Sequence, residues 1–201
     1  MNFIVTIGRE YGSGGRFVGR LLAEELNVNF YDNELLAKAS QESGLNQAIF
    51  ENYDEKKDGF FSGIYPSGMG FDVSMGQKVF LAQFDTIRRI AQTESAVIVG
   101  RCADYVLKDN PNVISIFIDA PIEDRVNRAI KYYNMDPKKA KDIIVKMDKK
   151  RKNYYNFYTD KNWGDANSYD LCINSSIGVE KCVEIIKNYV MLRLEKGEKH
   201  E

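Results

Sequence analysis

The segment GREYGSGGRFVG, residues 8–19, carries Gly8, Gly12, Gly14 and Gly15 within eight positions, with Arg16 directly behind them. Glycine permits positive φ and lets a ligand approach the backbone closely. Phe3, Ile4, Val5 and Ile7 ahead of it read as a buried parallel strand. Val18, Leu21, Leu22 and Leu26 after it repeat at helical spacing. A helix that starts there aims its unpaired N–H groups and positive dipole end at the glycines, an arrangement that binds phosphate. Gly12, Ser13, Gly14, Gly15 and Arg16 are therefore the candidate donor-phosphate residues.

The match to the standard phosphate loop, GxxxxGK[ST], is incomplete. If Gly14 is the last loop glycine, Gly15 takes the lysine position and Arg16 the hydroxyl position. If Gly15 is that glycine, Arg16 replaces the lysine and Phe17 the hydroxyl. Ser13 is the only hydroxyl inside the cluster. A tight strand-to-helix turn without a ligand is the plainer alternative, but such a turn needs one or two glycines rather than four.

Other chemistry-bearing residues fall at predicted strand tips, which face the ligand crevice in an open parallel sheet. Asp32 follows the short strand at residues 28–31, where it is also suited to cap the next helix. Arg101 follows the strand at 96–99 and Gly100, well placed to fork onto a phosphate or carboxylate. Arg88 and Arg89 stand near the C-terminal end of a helix predicted over 77–94, where cations are favoured in any case. Lys149, Lys150, Arg151 and Lys152 form the strongest basic cluster, followed by Tyr154, Tyr155, Phe157 and Tyr158. That pattern suggests packing on one side and anion contact on the other.

The elements that must position these groups alternate along the chain. Further strands are expected at 113–118 and 169–173, and further helices after Pro121, after Asp136–Pro137 and over 178–194. The expected architecture is one domain with a three-layer α/β/α fold and a mainly parallel sheet. Residues 41–76 break the alternation. They contain the aperiodic, aromatic and glycine-rich run 59–76 and read as a substrate-covering insertion.

Composition narrows the function. The chain has 201 residues, 44% hydrophobic and 28% charged, with a formal net charge of −1. No bulk basic field points to nucleic acid. The single histidine, His200, excludes histidine-based zinc sites and Ser-His triads. Three well-separated cysteines suit a reducing cytoplasm. No apolar run approaches the ~20 residues of a membrane span.

In their order and spacing the pieces resemble the nucleoside monophosphate kinases, and most closely the cytidylate kinase-like family. The glycine loop opens the chain. FYDNELL, VIVGR, SIFIDAPIEDRVNRA, DKKR and INSSIGVEKCVEII then resemble that family's successive segments. The resemblance covers most of the chain outside 41–76. It implies a P-loop kinase-like fold with an acceptor-binding insertion and a helical lid at about 137–168. It also implies ATP and Mg2+ as cofactors, small-molecule nucleotide substrates, and transfer of the ATP γ-phosphoryl group to a nucleoside monophosphate or similar acceptor. Asp32, Arg88 and Arg101 match acceptor-binding positions. Arg151 matches a lid arginine, which Lys150 could supplement, and with Arg16 these make the catalytic set. Cys102 departs from the family's GRD strand end, and Ile144 from the first lid arginine. The alternative is a nucleotide or anion sensor that kept the fold without the chemistry. An RNA-binding reading of the Lys149–Tyr158 patch is disfavoured by the charge balance.

Overall fold

A computed structural model describes residues 2–32, 35, 38, 42 and 71–198. Five strands, β1 (Ile4–Arg9), β2 (Asn29–Tyr31), β3 (Ala96–Val99), β4 (Val113–Asp119) and β5 (Leu171–Asn174), form one sheet in the order β2-β3-β1-β4-β5. Every pairing is parallel. The expected α/β fold is thus present, and among the described strands the sheet is wholly rather than mainly parallel.

β1 is central because Ile4, Val5, Thr6 and Ile7 tolerate burial on both faces. On one face α1 (Gly15–Leu26) and the C-terminal helix cover Val5, Ile7, Val97, Ile116 and Ile118 with Val18, Leu22, Cys182, Val183 and Ile186. On the other face a long helix, α2 (Phe71–Thr93), and the short α3 (Ala103–Val106) cover Ile4, Ala96 and Ile98 with Ile87, Ile90, Ala103 and Val106. α4 (Ile122–Tyr133) and α5 (Ala140–Tyr158) follow β4, and α6 (Val179–Glu198) closes the chain.

Strand ends shift by one or two residues from expectation, and three departures among the helices are larger or new. α2 begins at Phe71, six residues before the predicted start, so the last part of the run read as an aperiodic loop is helical. The segment FDVSMG contains no proline, and one mid-helix glycine costs only ~1 kcal/mol. The remainder of the proposed insertion, residues 41 and 43–70, lies outside the described residues. α5 begins at Ala140, because residues 137–139 form a turn in which the Asp136 carboxylate accepts from the Lys138 amide at 2.9 Å. The short α3 follows three successive left-handed residues, Gly100, Arg101 and Cys102, too local a turn for hydrophobic periodicity to reveal.

Helix α5 is docked onto the body. Tyr155 on α5 is buried with Phe80 on α2 and with Cys102. The Phe80 and Tyr158 rings stack with centroids 3.6 Å apart. The sheet itself depends on tightly filled central positions. Ile98→Ala in β3 is expected to cost about 2–5 kcal/mol through lost burial and a residual cavity. Urea unfolding of the variant would measure this, and a loss under 1 kcal/mol would contradict the packing described.

Candidate active site

The glycine loop joins the C-terminal tip of β1 to α1. Gly12 and Gly14 have φ of 79° and 84°, and Gly14 is the N-cap of α1. Each loop carbonyl has a donor. Arg151 Nη1 donates to Arg9 O at 3.1 Å, and the Ser13 hydroxyl to Glu10 O at 2.9 Å. Arg125 Nη1 donates to Tyr11 O at 3.4 Å, and Arg128 Nη1 to Gly12 O at 2.8 Å. Ser175 Oγ lies 2.5 Å from Ser13 O and 3.0 Å from Asp119 O, with one proton to share. Val18 N–H closes the first helical bond to Gly14 O at 3.0 Å. With the carbonyls held in this way, the amides of Gly15, Arg16 and Phe17, which have no intrahelical acceptor, open the helix as an anion nest.

Carboxylates brace the loop from outside. Asp148 on α5 accepts from the Tyr11 amide at 2.7 Å and pairs with the Arg125 guanidinium. Glu10 accepts from the Ala120 amide at 3.2 Å and lies 3.4 Å from Arg125 Nε. Burial pushes the Glu10 carboxyl up, against the Ala120 hydrogen bond and Arg125, which pull it down.

A small cavity of about 30 Å³ opens beside the loop, lined by Gly8, Arg9, Gly100, Arg101, Asp104, Arg151, Tyr154 and Tyr155 among others. The structure thus brings Arg101 and Arg151 together across a separation of fifty positions in the chain. Arg101 is only 6% exposed and sits at φ 61°, a left-handed conformation that costs a non-glycine residue about 1–2 kcal/mol. Strain of this kind concentrates at functional sites. Asp104 accepts from the Tyr155 hydroxyl at 2.6 Å. Burial raises the Asp104 carboxyl above its ordinary value, more than the Tyr155 hydrogen bond lowers it.

Other expected site residues stand elsewhere. Arg16 turns from the loop to Asp32, with Nε 2.7 Å from Oδ2, and its side chain remains 59% exposed. The guanidinium expected on the donor phosphates is thus placed on a carboxylate expected to meet the acceptor. Arg88 is exposed, with its guanidinium 5.9 Å from the Phe84 ring centroid, and is not part of the cavity lining. Lys150 is half-buried on α5. Sequence reasoning did not select Arg9, Arg125, Arg128 or Ser175 as site residues. Arg125 and Arg128 lie inside the EDRVNRA segment, where their i,i+3 spacing was the available signal.

The donor set suits Mg2+ only in part. Asp119 Oδ1 is buried and accepts no hydrogen bond among the described residues, and Glu10 is close enough to feel its charge. No group of three or more His, Cys, Asp or Glu side chains suited to a metal occurs among the described residues. One or two carboxylates, with water and substrate oxygens, is a usual Mg2+ environment.

A parallel sheet with β1 at its centre and a glycine loop opening the helix behind it defines a P-loop kinase fold. The chain belongs to the cytidylate kinase-like family, whose model matches residues 4–177. It is 26% identical to the cytidylate kinase of Methanococcus aeolicus over 176 residues, 86% of this chain and 88% of that protein. It is 35% identical to a structurally solved uncharacterized protein from Eubacterium ventriosum, with a TM-score of 0.72 and coverage of 94% of this chain and 98% of that one. Shikimate kinase from Bacteroides thetaiotaomicron shares the fold at 14% identity, TM-score 0.56, covering 94% of this chain and 98% of its own. Family and fold together support a phosphotransferase. No described helix is long and apolar enough to cross a membrane.

Two outcomes test the geometry. Ser175→Ala strands the buried Ser13 carbonyl, so urea unfolding should show a loss of about 1–3 kcal/mol, with weaker ADP binding by calorimetry. The second concerns pH. A carboxyl whose folded value is raised stabilises the protein fully below its unfolded value, about 4, and loses that contribution as pH rises through the folded value. The Tm of Asp104→Asn relative to wild type should therefore improve between pH 4 and pH 7, and parallel Tm curves would refute the burial effect.

Proposed function

We propose that the protein transfers the γ-phosphoryl group of ATP, with Mg2+, to a nucleoside monophosphate. The observation that carries this reading is the pinned loop beside a crevice lined by Arg101 and Arg151. Loop amides hold the donor phosphates, while arginine forks hold the acceptor phosphate and the charge that spreads in the transition state. A phosphate oxygen of the acceptor forms a bond to the γ-phosphorus. The bond from that phosphorus to the bridging oxygen breaks, and its electron pair leaves on ADP. An acceptor phosphate dianion needs no general base. Asp119 and Glu10 would hold Mg2+ through water, and the ion would neutralise phosphate charge there.

A groove of about 580 Å³ adjoins the loop on its other side, lined by Phe17, Arg20, Leu21, Arg128, Tyr132 and Gly178 among others. Its size suits a nucleoside, and Phe17 and Tyr132 offer partly exposed rings to a base. We assign it to the donor nucleoside.

Incubation with ATP, Mg2+ and a panel of nucleoside monophosphates and small phosphorylatable metabolites tests the reading. ADP formation dependent on a monophosphate acceptor is expected. Nucleotide binding with no turnover on any acceptor would favour the sensor alternative. Arg101→Ala should raise the acceptor KM by roughly 10- to 100-fold, the 1.5–3 kcal/mol of a charged hydrogen bond. The ATP KM should stay near wild type, and an unchanged acceptor KM would remove Arg101 from the site.

A further inference from the structure

The phosphate loop lacks its lysine, and the structure shows what occupies that side chain's path. Gly14 caps α1 and Gly15 is its first residue, so Gly15 holds the position immediately after the last loop glycine. That position is where the standard loop has lysine. A Cβ at Gly15 would lie 2.6 Å from Arg9 Cβ and 3.1 Å from Arg9 Cγ. No Cβ tolerates such a contact with a stem atom, so a side chain at 15 and the Arg9 stem exclude one another. The Arg9 stem then runs towards the tip of β3. A Cβ at Gly100 would overlap Arg9 Nη1 and lie 3.0 Å from Cζ. The guanidinium therefore rests on the bare backbone of Gly100, in the cavity lined by Arg101 and Arg151. Arg16, the other candidate for the missing charge, is directed to Asp32.

Resting on the phosphotransfer reading, we infer that Arg9 replaces the loop lysine: the cation for the donor's terminal phosphates enters from the tip of β1 instead of from the first turn of α1. Gly15 and Gly100 are small because the Arg9 side chain crosses both. A guanidinium forks onto two phosphate oxygens where an ammonium acts as a point charge. Arg9 transfers no proton in this role. It is a catalytic residue in that it touches the donor's reacting phosphate.

The test moves the charge back to its usual place. Arg9→Met keeps most of the stem and removes the charge. It should lower kcat roughly 100- to 1,000-fold, the loss typical of one transition-state donor. By calorimetry it should also lose most of the preference for ATP over AMP, with Tm near wild type. Gly15→Lys alone should lower Tm and activity, because the new stem meets Arg9. Arg9→Gly/Gly15→Lys should recover at least about 10-fold in kcat over Arg9→Gly, since removal of the Arg9 Cβ gives the lysine stem its space. Wild-type kcat and ATP preference in Arg9→Met would overturn the inference, as would a double variant no better than Arg9→Gly. If the wild type turns over no acceptor, the phosphotransfer reading fails by itself. Arg9 is then judged on binding alone, and an unchanged ATP preference in Arg9→Met refutes its role.

Discussion

The rest of the site depends on where the loop carbonyls point. A glycine-rich turn is conformationally free, and a free turn presents carbonyl oxygen to an anion as readily as N–H. Here each carbonyl from Arg9 to Gly14 accepts a hydrogen bond, from Arg151, Ser13, Arg125, Arg128, Ser175 and Val18 in turn. Once the oxygens are claimed, the amides of Gly15, Arg16 and Phe17 are left at the mouth of α1 without an intrahelical acceptor. Preorganisation of this kind is fixed in the folding step and needs no reorganisation when charge develops.

The same arginines that fix the loop tie α4 and α5 to it. Arg125 on α4 reaches Glu10, Tyr11 O and Asp148, so the glycine loop, α4 and α5 meet on one buried guanidinium. Losing one partner of such a cluster strands buried charge, typically a larger penalty than the net worth of the pair. Aromatic stacking of Tyr158 on Phe80 holds the far end of α5. The helix is thus anchored at two places, polar at the loop and apolar at α2.

The fold was legible because its signals are local. Short apolar runs at 4–7, 96–99 and 113–118 read as parallel strands, and the strand tips drew attention to Asp32 and Arg101. The site was legible only in outline. Gly12 and Gly14 could be read as loop glycines, since only glycine serves cheaply at positive φ. The partners of their neighbours could not. Arg125 and Arg128 act over separations of 114 and 116 residues, Arg151 over 142 and Ser175 over 162. No spacing rule reaches that far. Arg16 was favoured by adjacency to the glycines, yet a helix rotates successive side chains by about 100°, which carried Arg16 towards Asp32. Arg9 was overlooked because it precedes Gly12, Gly14 and Gly15, while the standard motif sets its cation on their C-terminal side.

The contact between Ser175 and Ser13 has a consequence for how the chain matures on the ribosome. Synthesis runs from the N-terminus and domains tend to fold as they emerge, yet the earliest segment here is completed by a hydroxyl 162 residues downstream. Pairings this distant in sequence are slow to form because the intervening chain must first be ordered. Until β5 has docked beside β4, the nascent protein holds a strand and a helix joined by an unset hinge, so the loop takes its final shape only after β5 has emerged.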